Sequence, residues 1–237
     1  MDEVVKMRIC FISDTHTYHK SVTIPECDIL IHSGDATHRG RKEEMEAFGL
    51  WFRTLPVAHK IFVPGNHDIS TEKEPENALK WLGFDSLDKV GEAYYLHRNW
   101  IIVNGLVIYG DGAQPSFGYG WAHNVDRGAP IAAVWEKIVD NTNILVTHGP
   151  AEGILDYIPD QGVGVGCADL TKRIFQLKDL FIHACGHIHE GYNTKEVLDK
   201  LFINASICTA RYDPTNDPIL VDVWLNDSGK WVSEVVY

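Results

Sequence analysis

Asp14 and His16 stand two residues apart, as do His187 and His189. Asp35, His148 and the tetrapeptide Gly65-Asn66-His67-Asp68 extend the set. Asp14, His16, Asp35, Asn66, His148, His187 and His189 together offer two carboxylates, one amide and four imidazoles, with no thiolate. That is too many donors for one tetrahedral ion and fits two. Two close dications repel, so an anion belongs between them; Asp35, alone on its segment, is the natural bridge, with a hydroxide as the second. The mixed nitrogen and oxygen set suits Mn, Fe, Zn, Co or Ni better than Mg or Ca, and Mn is the ion expected to support activity. A metal lowers the pKa of water from about 15.7 to about 7, a gain on the order of 12 kcal/mol near neutral pH, offset in part because the bound hydroxide is a poorer nucleophile. Two-metal sites serve in-line displacement at phosphorus. His67, beside Asn66, would project past the ions toward substrate, where an imidazole protonates the leaving oxygen or stabilises transition-state charge.

Each of these groups follows a short apolar run of strand length. The runs are 7–12, 27–31, 59–63, 144–146 and 180–184. Pro64-Gly65 breaks the third run sharply. In an extended segment, residues i and i+2 project to the same side, so each spaced pair can chelate. Ligand sites in open α/β sheets lie beyond the carboxyl ends of the strands. Taken singly, each group reads as an Asx turn or a packed imidazole. Five coincidences at one topological place carry the chemical reading.

The rest of the chain must position these ends. Residues 40–56 place Met45, Phe48, Phe52 and Leu55 at helical spacing. Helices are also expected over 74–82, with Pro75 in the first turn, 131–139 and 168–177. Strands are expected at 93–96, 100–103 and 106–109, with Asn104-Gly105 as a hairpin turn, and at 201–205, 219–225 and 231–235. Segments 111–128 and 162–166 read as loops, the first rich in Gly and aromatics. Early alternation of strand and helix predicts an α/β architecture with parallel pairing. The late hairpins predict a mixed or second sheet. No linker divides the chain, which is read as one domain over 1–237.

Composition narrows the function classes. The chain is 45% apolar and 23% charged, ordinary for a globular protein. A net charge of −12 disfavours long nucleic acid and anionic lipid as partners. A small phosphoester substrate stays compatible, because bound metal reverses the local field. Cys10, Cys27, Cys167, Cys185 and Cys208 are scattered, with no CxxC pair, and read as reduced thiols of a cytoplasmic protein. The acidic start has no signal-peptide pattern, and no apolar run approaches the ~20 residues of a membrane span.

Asp14-x-His16, Gly34-Asp35, Gly65-Asn66-His67-Asp68, Thr147-His148 and Gly186-His187-x-His189, in that order, resemble the calcineurin-like metallophosphoesterase superfamily. The resemblance implies a four-layer sandwich of two mixed β-sheets flanked by helices. It implies one metal on Asp14, His16, Asp35 and His189, a second on Asp35, Asn66, His148 and His187, and His67 as the catalytic histidine. Ser13-Asp14-Thr15-His16, the run 186–192 and Asn204-Ala205-Ser206-Ile207-Cys208 are similar to its metallophosphoesterase-domain-containing branch. That branch implies hydrolysis of small phosphodiesters, cyclic nucleotides included, by a metal-bridging hydroxide.

A phosphomonoesterase or nucleotidase with the same centre is the alternative reading. A metal-stabilised scaffold without activity is another, disfavoured because every ligand position of the pattern is filled. Residues 34–40 partly resemble the Gly-Asp-x-x-Asp-Arg-Gly loop of protein phosphatases. Here His38 replaces its Asp, and Asp68 stands where they have Glu, which counts against that activity. Asn66, His67 and Arg39 are the expected substrate-binding residues. His38 and His123 lie on loops near the pocket, whereas His19, His32, His59, His97 and His183 read as packed or surface residues. The aromatic stretch 117–121 suits a nucleobase platform, a lid or an oligomer contact.

Overall fold

The computed structural model describes residues 6–86 and 88–236. The first half runs β1 (Met7–Ile12), β2 (Ile29–His32), α1 (Lys42–Thr54), β3 (His59–Phe62), α2 (Ser70–Lys73), α3 (Pro75–Leu82), β4 (Glu92–Tyr95), β5 (Asn99–Val103) and β6 (Leu106–Asp111). Then follow β7 (Gln114–Pro115), β8 (Asn124–Val125), α4 (Ala129–Trp135), β9 (Ile144–Thr147), β10 (Tyr157–Ile158), β11 (Val163–Gly164) and α5 (Ala168–Gln176). The chain ends with β12 (Ile182–Cys185), β13 (Asn193–Val197), β14 (Lys200–Asn204), β15 (Ile219–Leu225) and β16 (Trp231–Val236).

Two six-stranded sheets form, ordered β16-β15-β1-β2-β3-β4 and β13-β14-β12-β9-β6-β5. Both are mixed. In the first, β1 to β4 pair in parallel and β15 and β16 add antiparallel. In the second, β6, β9, β12 and β14 are parallel, with β5 and β13 antiparallel at the edges. The continuous apolar runs follow from this: a central parallel strand is covered on both faces. Ile9, Phe11, Ile31 and Ile61 meet Ile108, Val146, Ile182 and Ile203 between the sheets. The alternate residues Cys10, Ile12, Leu30 and Phe62 face outward onto Met45, Phe48 and Phe52 of α1 and Ala78 and Leu82 of α3. On the other side Tyr109, Leu145 and Phe202 meet Ile131 and Trp135 of α4 and Leu170 and Ile174 of α5. The result is the helix–sheet–sheet–helix layering that the family resemblance implied.

Some elements differ from expectation. Strand β13 occupies Asn193-Thr194-Lys195-Glu196-Val197, a mostly exposed edge with no apolar alternation to reveal it. The turn α2 carries almost no apolar residue and packs through Thr71 and Ser70 instead. Helix α4 stops at Trp135, short of 139, and continues as hydrogen-bonded turns that bury Ile138. The loops 111–128 and 162–166 contain the two-residue strands β7, β8 and β11, set by tertiary pairing rather than by pattern. All five cysteines are free thiols.

Candidate metal centre

β1, β2 and β3 are successive neighbours in one sheet, and β9 and β12 are neighbours in the other. Their carboxyl ends reach one rim. The segment after β1 lies along the one after β2, with Asp14 N–H donating to the Gly34 carbonyl at 2.8 Å and His16 N–H to that of Asp35 at 3.0 Å. The sheets are tied across the rim by His187 N–H, which donates to the Asp14 carboxylate at 2.9 Å, while Gly186 N–H donates to the His148 carbonyl at 3.0 Å and joins the loops after β12 and β9.

These turns adopt left-handed backbone. Asp14, His16, Asp35 and His187 have φ of 51°, 39°, 55° and 67°. Non-glycine residues rarely sit there, and such strain gathers at functional sites. Two glycines permit the crowding: a Cβ on Gly65 would collide with the Asp35 carboxylate, and one on Gly186 with Asp14 and Ser13.

The predicted donors fall into two groups. Asp14, His16 and His189 are mutually close, and so are Asp35, His148 and His187. His16 Nε2 lies 3.2 Å from His189 Nε2, and His189 Nε2 lies 3.3 Å from Asp14 Oδ1. His148 Nε2 lies 3.3 Å from Asp35 Oδ2 and 2.9 Å from Asn66 Oδ1. Asp35 Oδ2 is also 3.9 Å from His16 Nε2, so this carboxylate lies between the groups. Donors about 3 Å apart are spaced as atoms sharing one cation at bonds of about 2.0–2.2 Å.

The orientation of the imidazoles also fits a metal. The Nδ1 of His16, His148 and His189 sits 3.3, 2.9 and 2.8 Å from the carbonyls of Thr37, Ser33 and Thr209. A carbonyl partner fixes the proton on Nδ1 and leaves Nε2 as the ligand atom, the arrangement common to metal-binding histidines.

Burial and mutual charge set the protonation. Burial alone raises Asp14, but the hydrogen bond and charge of His189, with His148 and His16, hold it well below the usual carboxylate range. Asp35 is likewise lowered against burial, chiefly by His148. Conversely, burial opposes the charge on His148, yet Asp35 lifts it to about 9, and Asp14 lifts His189 to about 9. Burial takes His16 down to about 4 and His187 to about 3. Two carboxylates thus face two imidazoliums, a proton-filled arrangement that dications can replace.

His67 stands over this floor. Its N–H donates to Asp35 Oδ1 at 2.7 Å, its Nδ1 sits 2.8 Å from the His38 carbonyl, and its Nε2 lies 3.9 Å from Asp35 Oδ2. The ring is 4.6 Å from that of His16, edge to face. The guanidinium of Arg39 lies 4.5 Å over Trp121, whose own ring is 4.3 Å from His67. His38 joins His16 and His67 in a third imidazole group at the mouth.

Sequence reasoning did not assign several supporting residues. Asp68 is fully buried and accepts from Gly65 N–H at 2.8 Å, Thr37 N–H at 3.0 Å and the Thr37 hydroxyl at 2.8 Å, locking the third loop to the second. Burial and the Asp35 charge push its carboxyl up to about 7. The Ser206 hydroxyl donates to Asp14 at 2.9 Å; it belongs to the 204–208 stretch whose resemblance was the available signal. His32 and His183 are buried and bonded to Thr15 and Thr147, bracing the loops from beneath. His123, also buried, bonds to the Thr71 hydroxyl at 2.8 Å and does not reach the donors.

Residues 7–191 match the calcineurin-like phosphoesterase family. The chain belongs to that family. It is 34% identical over 231 residues to human metallophosphoesterase domain-containing protein 1, covering 91% of this chain and 71% of that one. A Caenorhabditis elegans UPF0046 protein is 31% identical, covering 90% of this chain and 74% of that protein. A probable glycerophosphodiester phosphodiesterase of Arcobacter nitrofigilis is 25% identical over 72% of this chain and 59% of its own length. As a calcineurin-like phosphoesterase, the protein is a metal-dependent phosphoester hydrolase. No helix among the described residues is long and apolar enough to cross a membrane.

Proposed function

We propose that this phosphoesterase hydrolyses small phosphodiesters, cyclic nucleotides among them, at a dinuclear centre held by Asp14, His16, Asp35, Asn66, His148, His187 and His189. The observation that carries the reading is the convergence of these donors in two groups about Asp35, with His67 above them. When bound there, two dications, with Mn the favoured pair for activity, would supply Lewis acidity, lowering the pKa of water toward about 7 and drawing charge from the phosphoryl oxygens.

The chain's own residues do the rest. Asp35, 2% exposed, supplies the negative charge that lets two cations approach. The Asn66 oxygen adds a neutral donor beside His148. With Nδ1–H held by the His38 carbonyl, a second proton on His67 resides on Nε2 and faces the site. In that form His67 both neutralises developing charge and delivers a proton to the departing oxygen. Arg39 is exposed and lies over Trp121, the ring next to His67, which supports a role in contacting a substrate phosphate or its substituent. The likeness to a protein named as a glycerophosphodiester phosphodiesterase supports diesters over monoesters. Five free cysteines fit a reducing compartment, which supports a cytoplasmic setting.

The test is turnover of an aryl phosphodiester and of its matching monoester, with and without Mn²⁺, by wild type and Asn66→Ala. The reading expects Mn-dependent turnover of the diester that falls at least tenfold in the variant. Equal rates in all arms reject a metal-centred hydrolase, and turnover of the monoester alone replaces the diesterase with a phosphomonoesterase.

A further inference from the structure

Tyr212 is a bulky side chain on left-handed backbone, at φ 63°. Such a position favours glycine, and an aromatic residue there is an outlier that asks for a functional reason. The turn is held by Tyr212 N–H donating to the Thr209 carbonyl at 2.8 Å and Thr209 N–H to that of Asp213 at 2.9 Å. The Thr209 carbonyl is also the partner of His189 Nδ1. One turn therefore orients a predicted metal ligand and presents an aromatic ring beside it.

That ring is used at the rim. It lies 4.7 Å from His16, 5.2 Å from His189 and 6.4 Å from His67, while remaining 41% exposed. From the other side of the chain, the loop between β7 and β8 brings Trp121 to 4.3 Å from His67 and Phe117 to 5.0 Å from His187. This loop is anchored rather than free: Ala122 N–H donates to the Asn66 carbonyl at 3.1 Å, and His123 N–H to Glu72 at 2.9 Å. Trp121 and Tyr212 both approach His67, but their other contacts are separate, Trp121 on Phe117 and Arg39, Tyr212 on His16 and His189. A phosphoryl group seated on the donors leaves its ester substituent among these rings.

We propose that Trp121 and Tyr212 are specificity-determining residues that receive a flat aromatic ring on the substrate, so that this site prefers nucleotide-type phosphoesters to plain sugar or alkyl esters. The proposal deepens the phosphodiesterase reading and rests on it for where phosphorus sits. Aromatic stacking is tolerant of base identity, so the preference is for a base over none rather than for one base. The guanidinium of Arg39, 4.5 Å over Trp121, adds a cation to what that ring already meets.

AMP and ribose 5-phosphate share a phosphate and a ribose and differ by the base. Their equilibrium binding to the Mn-loaded protein is measured by calorimetry for wild type, Tyr212→Gly and Trp121→Leu. The wild type is expected to hold AMP about tenfold more tightly, and each variant to reduce that ratio to about twofold or less. Tyr212→Gly suits the left-handed backbone, so its melting temperature should equal or exceed that of wild type, which separates lost stacking from lost folding. Equal binding of the two ligands by wild type, absence of binding by either, or a ratio preserved in both variants would overturn the proposal. A ratio preserved in one variant removes that residue from it. Because the readout is binding, a failed diester assay and a failed base preference are told apart.

Discussion

Buried charge is handled in opposite ways at the two ends of the sandwich. Away from the rim, Lys60 and Lys200 are buried at 0% and 5% exposure, one on each sheet. Lys60 donates to the carbonyls of Leu55, Val57 and Val90, and Lys200 to those of Leu177 and Leu180. Leu55 and Leu177 close α1 and α5, so each ammonium neutralises the negative end of an outer helix. At the rim, Asp14, Asp35, His16, His148, His187 and His189 meet chiefly one another, four of them (Asp14, His16, Asp35 and His187) on left-handed backbone. The comparison teaches that a buried ion serving the fold is saturated by backbone. A buried set serving chemistry is paired within itself, carboxylate to imidazolium, so that cations can take the place of its protons.

The largest effect should come from breaking the rim. Asp35→Ala is expected to remove bound metal and lower turnover by about 10³-fold or more, as read by elemental analysis alongside kinetics. The metal-free variant should also melt lower, since buried His148 loses its counter-charge and His67 N–H its acceptor; retained stoichiometric metal in this variant would contradict the bridging role. His67→Asn should sharpen the picture, with metal content kept and kcat reduced about 10²- to 10³-fold. Loss of metal in that variant would make His67 a ligand instead.

A pH series gives a smaller effect with a defined sign. His148 and His189, raised to about 9, must shed protons to accept metal, so Mn affinity should climb from pH 7 to about 9, by up to tenfold per unit for each proton displaced, and then level. In the metal-free protein the same raised values contribute stability that is complete below about 6.5, the ordinary histidine value, and is lost as pH rises through about 9. Melting temperature in chelator should therefore fall over that window, and a flat profile would refute the paired protonation. Lys60→Met and Lys200→Met should touch chemistry least. Each leaves carbonyls unpaired and costs about 1–3 kcal/mol in denaturant titrations, with metal content and kcat at wild-type values.

The rim was readable in advance because its signals are local. An apolar run ending in Ser13-Asp14-Thr15-His16 or Gly65-Asn66-His67-Asp68 announces a strand and the donors beyond it. What stayed hidden lacks a local signature. Strand β13 has polar residues on both faces because it is an edge. The brace made by Asp68 joins residues 31 positions apart, and the bond from Ser206 to Asp14 spans 192. Tyr212 follows no motif, since its importance lies in a backbone angle and in rings contributed from elsewhere.

By itself, the sequence determined which residues could ligate, that they follow strands, and that apolar periodicity would bury those strands between helices. These properties depend on neighbours within a few positions, where spacing and burial period act directly. Only the tertiary structure decided that the ends of β1, β2 and β3 would meet those of β9 and β12. It also decided which nitrogen of each imidazole faces inward, and which aromatic rings frame the opening. Those outcomes require the two sheets to pack face to face, because contacts across that interface join residues that chain order keeps far apart.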